Sequence, residues 1–528
     1  MATQLHSLMK EATYYSVSSM VGRLFNVLLL PLYTAVMPPH DGEYGMMTSL
    51  YGWASILTVI LSMGLETTFM RIANKDNERV NPAHVYSTAF ITILGIVVVF
   101  GTVMHFIAPA MAAFLGYPTH VSEVRLMGGM ICGDVLLVLP FCYLRYRHQI
   151  SKYAICKALY AVINALLCFL VLYVCPILQD KWPDGILWEF YLPNNSLNYV
   201  LGCNMATCLI MLYILIEEWK PFGHFHSAWD KVYKFRYVFD KQILRQMMVY
   251  ALPILGASLI DIGIQTIDRI LYLWLIPGEE GMRQLGIYGA CFRIGMIMAL
   301  ATQVLRDISE PTLFRLARSR RATEHTGALI IKYFIICSII IFLTIETFMV
   351  YIQRNLLLDP EYWEGISIIP ILMCSEMLVG LQFYMSFWYK LTDRPSYGTL
   401  FAAITLVVIV LGNLLFVPEY GYIACAWSIF AGCLVRLLLT VVVSRFKSQY
   451  QFHFSGYRYV FLGAVFYAAM RICPSSNEGW TFMFKLTCLL IYIEMFFILE
   501  HRQINAVMQR IRNGRKHRTK RKAAITAE

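Results

Sequence analysis

The chain has 528 residues, of which 58% are hydrophobic and only 15% are charged. Soluble domains have roughly a quarter of their residues charged, so this composition excludes an ordinary soluble protein and indicates one that crosses a membrane many times. The formal net charge of +11 does not indicate nucleic acid binding, because most basic residues fall in alternate loops and in the two tails.

The fourteen cysteines occur singly along apolar stretches, without CxxC pairs or accompanying histidine clusters. Cysteine in such a setting behaves as a small apolar residue. We therefore interpret these residues as packing residues, and the sequence predicts neither a metal site nor a cofactor.

Apolar segments of spanning length recur along the whole chain. A helix needs about 20 apolar residues to cross the hydrocarbon core of a bilayer. The predicted spans are 14–37, 46–70, 85–108, 123–143, 154–175, 197–215, 246–276, 286–309, 329–352, 365–389, 397–417, 420–444, 457–473 and 480–500. The predicted fold class is therefore an all-α polytopic membrane protein with about 14 transmembrane helices.

Basic residues favour one side of the predicted membrane. Arg71 lies at the second connection and Arg145 at the fourth, and the sixth and eighth connections contain longer runs of Lys and Arg. The opposite connections contain only isolated basic residues, such as Lys181 and Arg283. Because cytoplasmic loops are enriched in Lys and Arg, both termini are predicted to be cytoplasmic.

The first and seventh spans each carry a polar stripe along one helix face. The stripe residues are Ser16, Ser19, Arg23 and Asn26 in the first span, and Ser258, Asp261, Gln265, Asp268 and Tyr272 in the seventh. Their spacings of three and four residues place each set on a single face. An ionised side chain at mid-depth costs roughly 2.5–3.5 kcal/mol on insertion scales, so these residues are expected to face water, a partner or a substrate.

Each stripe is followed by a Tyr-Gly pair, Tyr44-Gly45 in the first half and Tyr288-Gly289 in the second, and Tyr420-Gly421 is a third occurrence. We interpret the tyrosines as interfacial residues and the glycines as points of close helix approach. The repeated order of stripe and Tyr-Gly pair predicts two related halves.

The predicted organisation has five parts. They are an N-lobe at 1–217, a cytoplasmic connection at 218–245, a C-lobe at 246–445, two additional helices at 446–501 and a basic cytoplasmic tail at 502–528. The tail is expected either to bind anionic lipid headgroups, at about 1 kcal/mol per basic residue near the surface, or only to maintain the topology.

Several segments together resemble the polysaccharide-biosynthesis flippases of the multidrug/oligosaccharidyl-lipid/polysaccharide exporter superfamily. They are 16–52, 62–71, 252–275, 286–295 and 416–427, the last containing FVPEYGYIACAW. The resemblance implies two pseudo-symmetric six-helix lobes around a central cavity that opens alternately to each side. It also implies a substrate, an oligosaccharide on undecaprenyl diphosphate, that moves from the inner to the outer leaflet of a bacterial cytoplasmic membrane.

A diphosphate in the cavity requires cationic partners, and Arg binds phosphate through a planar fork of donors. Arg23, Arg269 and Arg293 are the candidate anion ligands, and Asn26 and Gln265 are candidate donors to sugar hydroxyls. Two structural alternatives stay open. Asp268 or Asp261 could neutralise Arg269, and the polar groups could instead hydrogen-bond between helices.

The resemblance implies coupling to ion entry in some members, for which Asp261 and Asp268 are the candidate carboxylates here. A polysaccharide polymerase is a candidate partner, and the membrane lipids are expected partners of the chain.

Two other functions remain possible at this point. A multidrug antiporter of the same superfamily would favour an acidic cavity, whereas the first span offers Arg23 and no carboxylate. A membrane enzyme, such as a polymerase or ligase, would need a sizeable outer loop or a catalytic domain, and the longest outer loop, 176–196, is short. We therefore expect a transporter without catalytic residues.

Overall fold

The computed structural model describes residues 20–74, 81–182, 195–219, 239–316, 320–392, 394–447, 456–472 and 478–525, with side chains of the last helix described as far as His501. Within these ranges the chain is helical and contains no β-strand. The predicted inter-lobe connection falls mostly outside the described residues, and the side chains of the predicted basic tail are not described.

Each of the fourteen predicted spans contains a helix. We label the helices α1 Met20–Val36, α2 Glu43–Ala73, α3 Pro82–Phe114, α4 Val121–Tyr146, α5 Ile150–Lys181, α6 Ser196–Ile214, α7 Lys241–Leu275, α8 Glu279–Gly295, α9 Met298–Leu316, α10 Glu324–Thr347, α11 Pro360–Leu391, α12 Ser396–Tyr420, α13 Tyr422–Lys447, α14 Tyr457–Ile472 and α15 Glu478–His501. Short helices also occur at Ile216–Trp219 and Met349–Leu356.

Eleven of the described helices are long and apolar enough to cross a membrane. The pair α8 and α9 adds a twelfth span, bent by 44° at the break after Gly295. The remaining two predicted spans correspond to the shorter helices α1 and α14. The predicted all-α polytopic fold class is confirmed.

Local sequence signals explain where several helices begin and end. Asn81 accepts a hydrogen bond from the backbone N–H of Ala83 at 2.9 Å and thereby caps α3, with proline at the first helical position. Asp240 caps α7 through the N–H groups of Gln242 at 2.7 Å and Ile243 at 3.2 Å. Gly421, with φ of +58°, ends α12 in a conformation that residues with a Cβ rarely adopt.

The chain divides into two compact units. One consists of Met1–Ala317 and Gln353–Gln451, and the other consists of Arg318–Ile352 and Phe452–Glu528. The first unit contains both stripe-bearing helices, α1 and α7. The second unit groups α10 with α14 and α15, the two helices that the sequence analysis placed after the lobes. The lobe boundaries themselves stay a prediction.

In the first unit, α2 and α8 cross at glycines. A Cβ at Gly45 would overlap the carbonyl oxygen of Met282 and lie 3.1 Å from the backbone nitrogen of Gly286. A Cβ at Gly289 would overlap the hydroxyl of Thr48. Gly45 and Gly289 are therefore points of close approach, as predicted, and they join the corresponding helices of the two halves.

Two of the three tyrosines of the repeated pairs are not surface residues. Tyr44 and Tyr288 are completely buried, whereas Tyr420 is 61% exposed. The third pair also differs in its glycine, because Gly421 ends a helix instead of lying within one. The interfacial interpretation is therefore wrong for Tyr44 and Tyr288, whose hydrophobic surface is removed from solvent by packing within the protein.

In the second unit, a buried ion pair joins α10 to α15. Lys332 Nζ lies 2.8 Å from Glu500 Oε2, and both side chains are less than a tenth exposed. Tyr459, on α14, donates its hydroxyl to Glu500 Oε1 at 2.5 Å. All three helices of this unit thus meet at one carboxylate, which we call the Glu500 cluster.

A second charged group joins the same three helices. Glu346 on α10 accepts from Lys485 Nζ on α15 at 3.1 Å, and Arg471 Nε on α14 lies 3.4 Å from the same oxygen. The Glu346 side chain is only 4% exposed. In this Glu346 cluster, as in the Glu500 cluster, a buried carboxylate is compensated by cations from neighbouring helices.

Candidate functional site

A cavity of about 730 Å³ lies within the first unit, between residues of the first and second halves of the chain. The first half contributes α1, α2, α4, α5 and α6, and the second half contributes α7, α8 and the start of α9. We call it the Arg293 cavity. Its polar lining residues are Arg23, Asn26, Tyr33, Tyr51, Ser55, Thr58, Asp134, Tyr160, Asn164, Asn204, Arg269 and Arg293.

Arg23 projects from α1 into this cavity. Its Nη1 donates to the carbonyl oxygen of Ala299 on α9 at 3.3 Å, which links the two halves. No carboxylate of the described chain lies within 4 Å of its guanidinium, although Glu376 is near enough to interact electrostatically. Arg23 therefore keeps most of its donors available to a ligand.

Arg269 and Arg293 are held by aromatic rings. The Cζ of Arg269 lies 4.0 Å from the ring centroid of Phe292, and the Cζ of Arg293 lies 5.1 Å from that of Tyr33 and 5.5 Å from that of Tyr44. A cation over an aromatic face is attracted by the ring quadrupole. Since a ring carries no net charge, this arrangement orients the guanidinium groups without neutralising them.

The acidic residues of α7 form no ion pair within 4 Å of Arg269, although Asp268 is close enough to interact with it electrostatically. Asp268 is 1% exposed and accepts a hydrogen bond from the hydroxyl of Tyr288, so its carboxylate is directed into the packing between α7 and α8. Asp261 is exposed and lies 3.3 Å from Arg436 Nη2 on α13. Within the described part of the chain, neither carboxylate forms an ion pair with Arg269. A direct ion pair of Arg269 with either carboxylate is therefore not observed in the described residues.

The two candidate sugar donors occupy different places. Asn26 lines the cavity beside Arg23. Gln265 is exposed, and its amide donates to the carbonyl oxygen of Asp261 at 3.3 Å, so it is not a lining residue of this cavity. The cavity-facing residues of α7 are Ile262 and Arg269, and Gln265 is rotated by about 40° from Arg269.

Five residues that were not predicted to bind a ligand form two hydrogen-bonded groups in the cavity wall. Asn164 donates to the amide oxygen of Asn204, and Asn204 donates to the hydroxyl of Tyr51 at 2.7 Å. Tyr160 donates to Asp134 at 3.0 Å. The wall thus combines hydrogen-bonding groups with one carboxylate that is satisfied by a neutral donor.

A second cavity of about 620 Å³ adjoins the first and has Arg23, Asn26, Leu29, Tyr160 and Asn164 in common with it. We call it the Lys157 cavity. Its remaining lining residues are Gly22, Phe25, Arg145, Tyr153, Lys157, Ala161, Gln303 and Asp307. The two cavities are therefore adjacent, and the five shared residues lie in the walls of both.

The charge of this region is predominantly positive. Its lining includes the cations Arg23, Arg145, Lys157, Arg269 and Arg293, and the carboxylates Asp134 and Asp307. No group of three His, Cys, Asp or Glu among the described residues could hold a metal ion. The arrangement suits an anionic ligand that also offers hydrogen-bonding groups.

The fold is shared with transporters of known structure. It is similar to the lipid II flippase MurJ in an inward closed conformation, with a TM-score of 0.70 and 11% identity over 93% of this chain and 99% of that chain. It is also similar to the inward-facing conformation of a multidrug resistance MATE family transporter of the MOP superfamily, with a TM-score of 0.62 and 13% identity over 81% of this chain and 94% of that chain. At these identities the similarity establishes the fold alone.

The fold therefore defines a polytopic membrane protein with the architecture also found in the lipid II flippase MurJ and in a MATE family transporter. The family model described as polysaccharide biosynthesis protein matches residues 8–304, which is more than half of the chain. The chain belongs to the polysaccharide biosynthesis protein family. No curated protein sequence matches it.

Proposed function

We propose that the protein is a flippase that moves an undecaprenyl-diphosphate-linked oligosaccharide from the inner to the outer leaflet of a bacterial cytoplasmic membrane. The observation that carries this proposal is the Arg293 cavity, in which Arg23, Arg269 and Arg293 form no ion pair with any described carboxylate. Family membership and the flippase and MATE fold support the same function.

The diphosphate explains why unpaired arginines would be retained in an apolar protein. At about 4 Å and an effective dielectric constant near 20, one unit charge pair is worth about 4 kcal/mol before desolvation. Arginines held over aromatic rings by Phe292 and Tyr33 are already oriented, so less side-chain freedom is lost when the anion binds.

The oligosaccharide and the lipid tail impose different requirements. Asn26, Asn164 and Asn204 offer amide donors and acceptors suited to sugar hydroxyls. Moving a polyprenyl chain through water would cost about 0.8 kcal/mol per CH₂, which amounts to tens of kcal/mol. The tail therefore stays in the bilayer while the head group crosses through the polar cavity, which requires a lateral opening.

Alternating access of the two halves would expose the head group first to the cytoplasm and then to the outer face. Both termini are proposed to be cytoplasmic, in agreement with the distribution of Lys and Arg. Asp261 is the proposed coupling carboxylate, because it is exposed and only weakly paired, and Asp268 is the second candidate. Both carboxylates remain candidates for ion coupling in this scheme.

A multidrug antiporter is the runner-up function, because the same fold occurs in MATE transporters. The charge of the cavity distinguishes the two functions. Five cations and two carboxylates in the lining favour an anion, whereas a cationic drug would be repelled by Arg23 and Arg293.

The test is translocation by the purified protein in liposomes that contain a fluorescent undecaprenyl-diphosphate-linked oligosaccharide, followed by the fraction accessible from outside. We expect Arg23→Ala and Arg269→Ala to lower the initial rate at least tenfold. Arg283→Ala is the matched control, because Arg283 lies on α8 outside the cavity and is paired with Glu364 at 2.9 Å. Its rate should remain within twofold of the wild type.

Wild-type rates in both cavity variants would falsify the anion-site assignment. Drug efflux that depends on Asp261, without translocation of the lipid-linked oligosaccharide, would instead establish the antiporter.

A further inference from the structure

The Lys157 cavity contains two cations that contribute to the positive charge of the lining but have no contact with the substrate assigned above. Arg145 lies in the last turn of α4, and Lys157 lies on α5, about 10 Å from its first residue at 1.5 Å per residue. Both line this cavity and neither lines the Arg293 cavity. Arg269 and Arg293, in contrast, line the Arg293 cavity and do not line the Lys157 cavity.

Neither Arg145 nor Lys157 has an ion-pair partner in the described residues. The ammonium of Lys157 lies 4.3 Å from the ring centroid of Phe141. Asp134 and Glu66 are close enough to interact with it electrostatically, but neither lies within the 4 Å of an ion pair. Glu66 and Cys142 lie close enough to Arg145 to interact with it, but Glu66 is not within the 4 Å of an ion pair. Both residues therefore resemble Arg269 and Arg293, which also have no carboxylate of the described residues within 4 Å.

The helix face around Lys157 is polar and open. Tyr153, Lys157, Tyr160 and Asn164 are spaced by four, three and four residues and all line the Lys157 cavity. On the facing helix α1, a Cβ built on Gly22 would meet no atom within 4 Å. The cavity thus has room for a ligand beside the two cations.

We propose that Arg145 and Lys157 form a second diphosphate-binding subsite, which has Arg23 in common with the subsite of Arg269 and Arg293. A bound diphosphate then moves between the two subsites without losing all of its cationic contacts, since Arg23 lines both cavities. This inference rests on the proposed function for the direction of movement. The binding of the anion itself does not depend on that direction.

The position of Arg145 makes this subsite the one nearer the predicted cytoplasmic side. Arg145 precedes the fourth connection, which carries further basic residues and is predicted to be cytoplasmic. A substrate entering from the inner leaflet meets Arg145 and Lys157 first. Loss of these cations should therefore weaken capture of the substrate more than it slows the later steps.

The wall opposite the cations offers groups of another kind. Gln303 Nε2 donates to Asp307 Oδ1 at 3.1 Å, and both residues line the cavity on α9. A carboxylate and an amide suit the hydroxyls of a sugar attached to the diphosphate. The favoured ligand is consequently a sugar-bearing diphosphate, while an anionic lipid headgroup offers the same phosphate chemistry and must be distinguished by experiment.

The experiment measures equilibrium binding of farnesyl diphosphate to the full chain in neutral detergent, and the KM for the lipid-linked oligosaccharide in liposomes. The variants are Arg145→Gln/Lys157→Gln, Arg269→Gln/Arg293→Gln, the combination of all four changes, and Arg23→Gln. The matched control is Arg147→Gln/Lys181→Gln, which removes the same charge from exposed positions next to α4 and at the end of α5.

We expect each cavity pair to weaken farnesyl diphosphate binding about tenfold and the fourfold variant to abolish it. Arg145→Gln/Lys157→Gln should also raise the KM about tenfold with kcat near the wild-type value, and the control should change neither quantity. Arg23→Gln alone should weaken binding at both subsites, because Arg23 lines both cavities.

Unchanged binding and KM in Arg145→Gln/Lys157→Gln, with loss of transport in Arg269→Gln/Arg293→Gln, would overturn the second subsite and leave the proposed function intact. Two-subsite binding without any translocation by the wild type would overturn the proposed function and support the subsite. If phosphatidylglycerol displaces farnesyl diphosphate from the Arg269→Gln/Arg293→Gln variant at equal concentration, the subsite binds lipid headgroups and its assignment to the substrate is wrong.

Discussion

The cations of the cavity and those of the three-helix unit are held in opposite ways. In the unit formed by α10, α14 and α15, Lys332 and Lys485 each contact a carboxylate that is less than a tenth exposed. In the Arg293 and Lys157 cavities, Arg269 and Lys157 lie over aromatic rings instead, and no described carboxylate lies within 4 Å of either cation. Both regions belong to the same apolar, membrane-spanning chain. The different partners of the cations therefore indicate that the charges have different roles in the two regions.

A carboxylate cancels the charge of its partner, whereas an aromatic ring positions a cation and leaves its charge to act on a ligand. Paired charges in the three-helix unit are therefore interpreted as structural. Unpaired charges in the cavity are interpreted as binding groups. Substitutions in the two regions should accordingly separate stability from binding.

The largest expected effect is on stability, at the Glu500 cluster. Glu500→Ala removes the carboxylate that contacts Lys332 and Tyr459. Removing one partner of a buried ion pair typically destabilises a protein by about 3–5 kcal/mol, because the other charge stays buried. Thermal unfolding in detergent should show a clearly lower Tm, and the translocation rate per folded molecule should fall less than twofold.

The double variant Lys332→Met/Glu500→Gln is the control for this effect. It buries no charge and keeps an acceptor for the hydroxyl of Tyr459, so most of the lost stability should return. A double variant as unstable as Glu500→Ala would show that the ion pair itself is needed.

An intermediate effect is expected on binding, at Arg293. Arg293→Gln should weaken diphosphate binding about 10–100-fold, equivalent to about 1.4–2.8 kcal/mol. The free energy of unfolding of this variant should fall by at most about 0.5–2 kcal/mol, because only the contacts of Arg293 with the rings of Tyr33 and Tyr44 are lost. Calorimetric titration and thermal unfolding of the same preparation measure the two quantities.

Arg283→Gln provides the comparison on the same helix. Arg283 is paired with Glu364 and Glu280 near the start of α8, so its loss should leave diphosphate affinity unchanged. Equal losses of affinity in the two variants would mean that net charge, and not the position of Arg293, determines binding.

The sequence predicted the helices well because hydropathy is a local property, and each of the fourteen predicted spans contains a helix. It also identified Arg23, Arg269 and Arg293 as the candidate anion ligands. All three line the Arg293 cavity. Whether they bind the substrate remains a prediction.

What the sequence did not show depends on side-chain direction and on tertiary packing. Gln265 belongs to the polar stripe of α7 but is rotated out of the cavity-facing line of Ile262 and Arg269. The partnership of Asp268 with Tyr288 joins residues twenty positions apart on different helices. Lys157 could have been found from the sequence, because the polar stripe of Tyr153, Lys157, Tyr160 and Asn164 on α5 also has spacings of three and four residues.

The smallest expected effect on stability is at the pair of Asp261 and Arg436, which also tests ion coupling. The Asp261 side chain is 56% exposed, so the 3.3 Å pair contributes about 0–1 kcal/mol, and Asp261→Asn should leave Tm nearly unchanged. If Asp261 carries the coupling ion, the variant should translocate substrate at a rate that no longer responds to an imposed proton or sodium gradient.

Asp134→Asn is the matched control, because Asp134 lines the Arg293 cavity but accepts a hydrogen bond from Tyr160. A gradient response that survives in Asp261→Asn and disappears in Asp134→Asn would move the coupling role from the weakly paired carboxylate of α7 to the hydrogen-bonded one in the cavity wall.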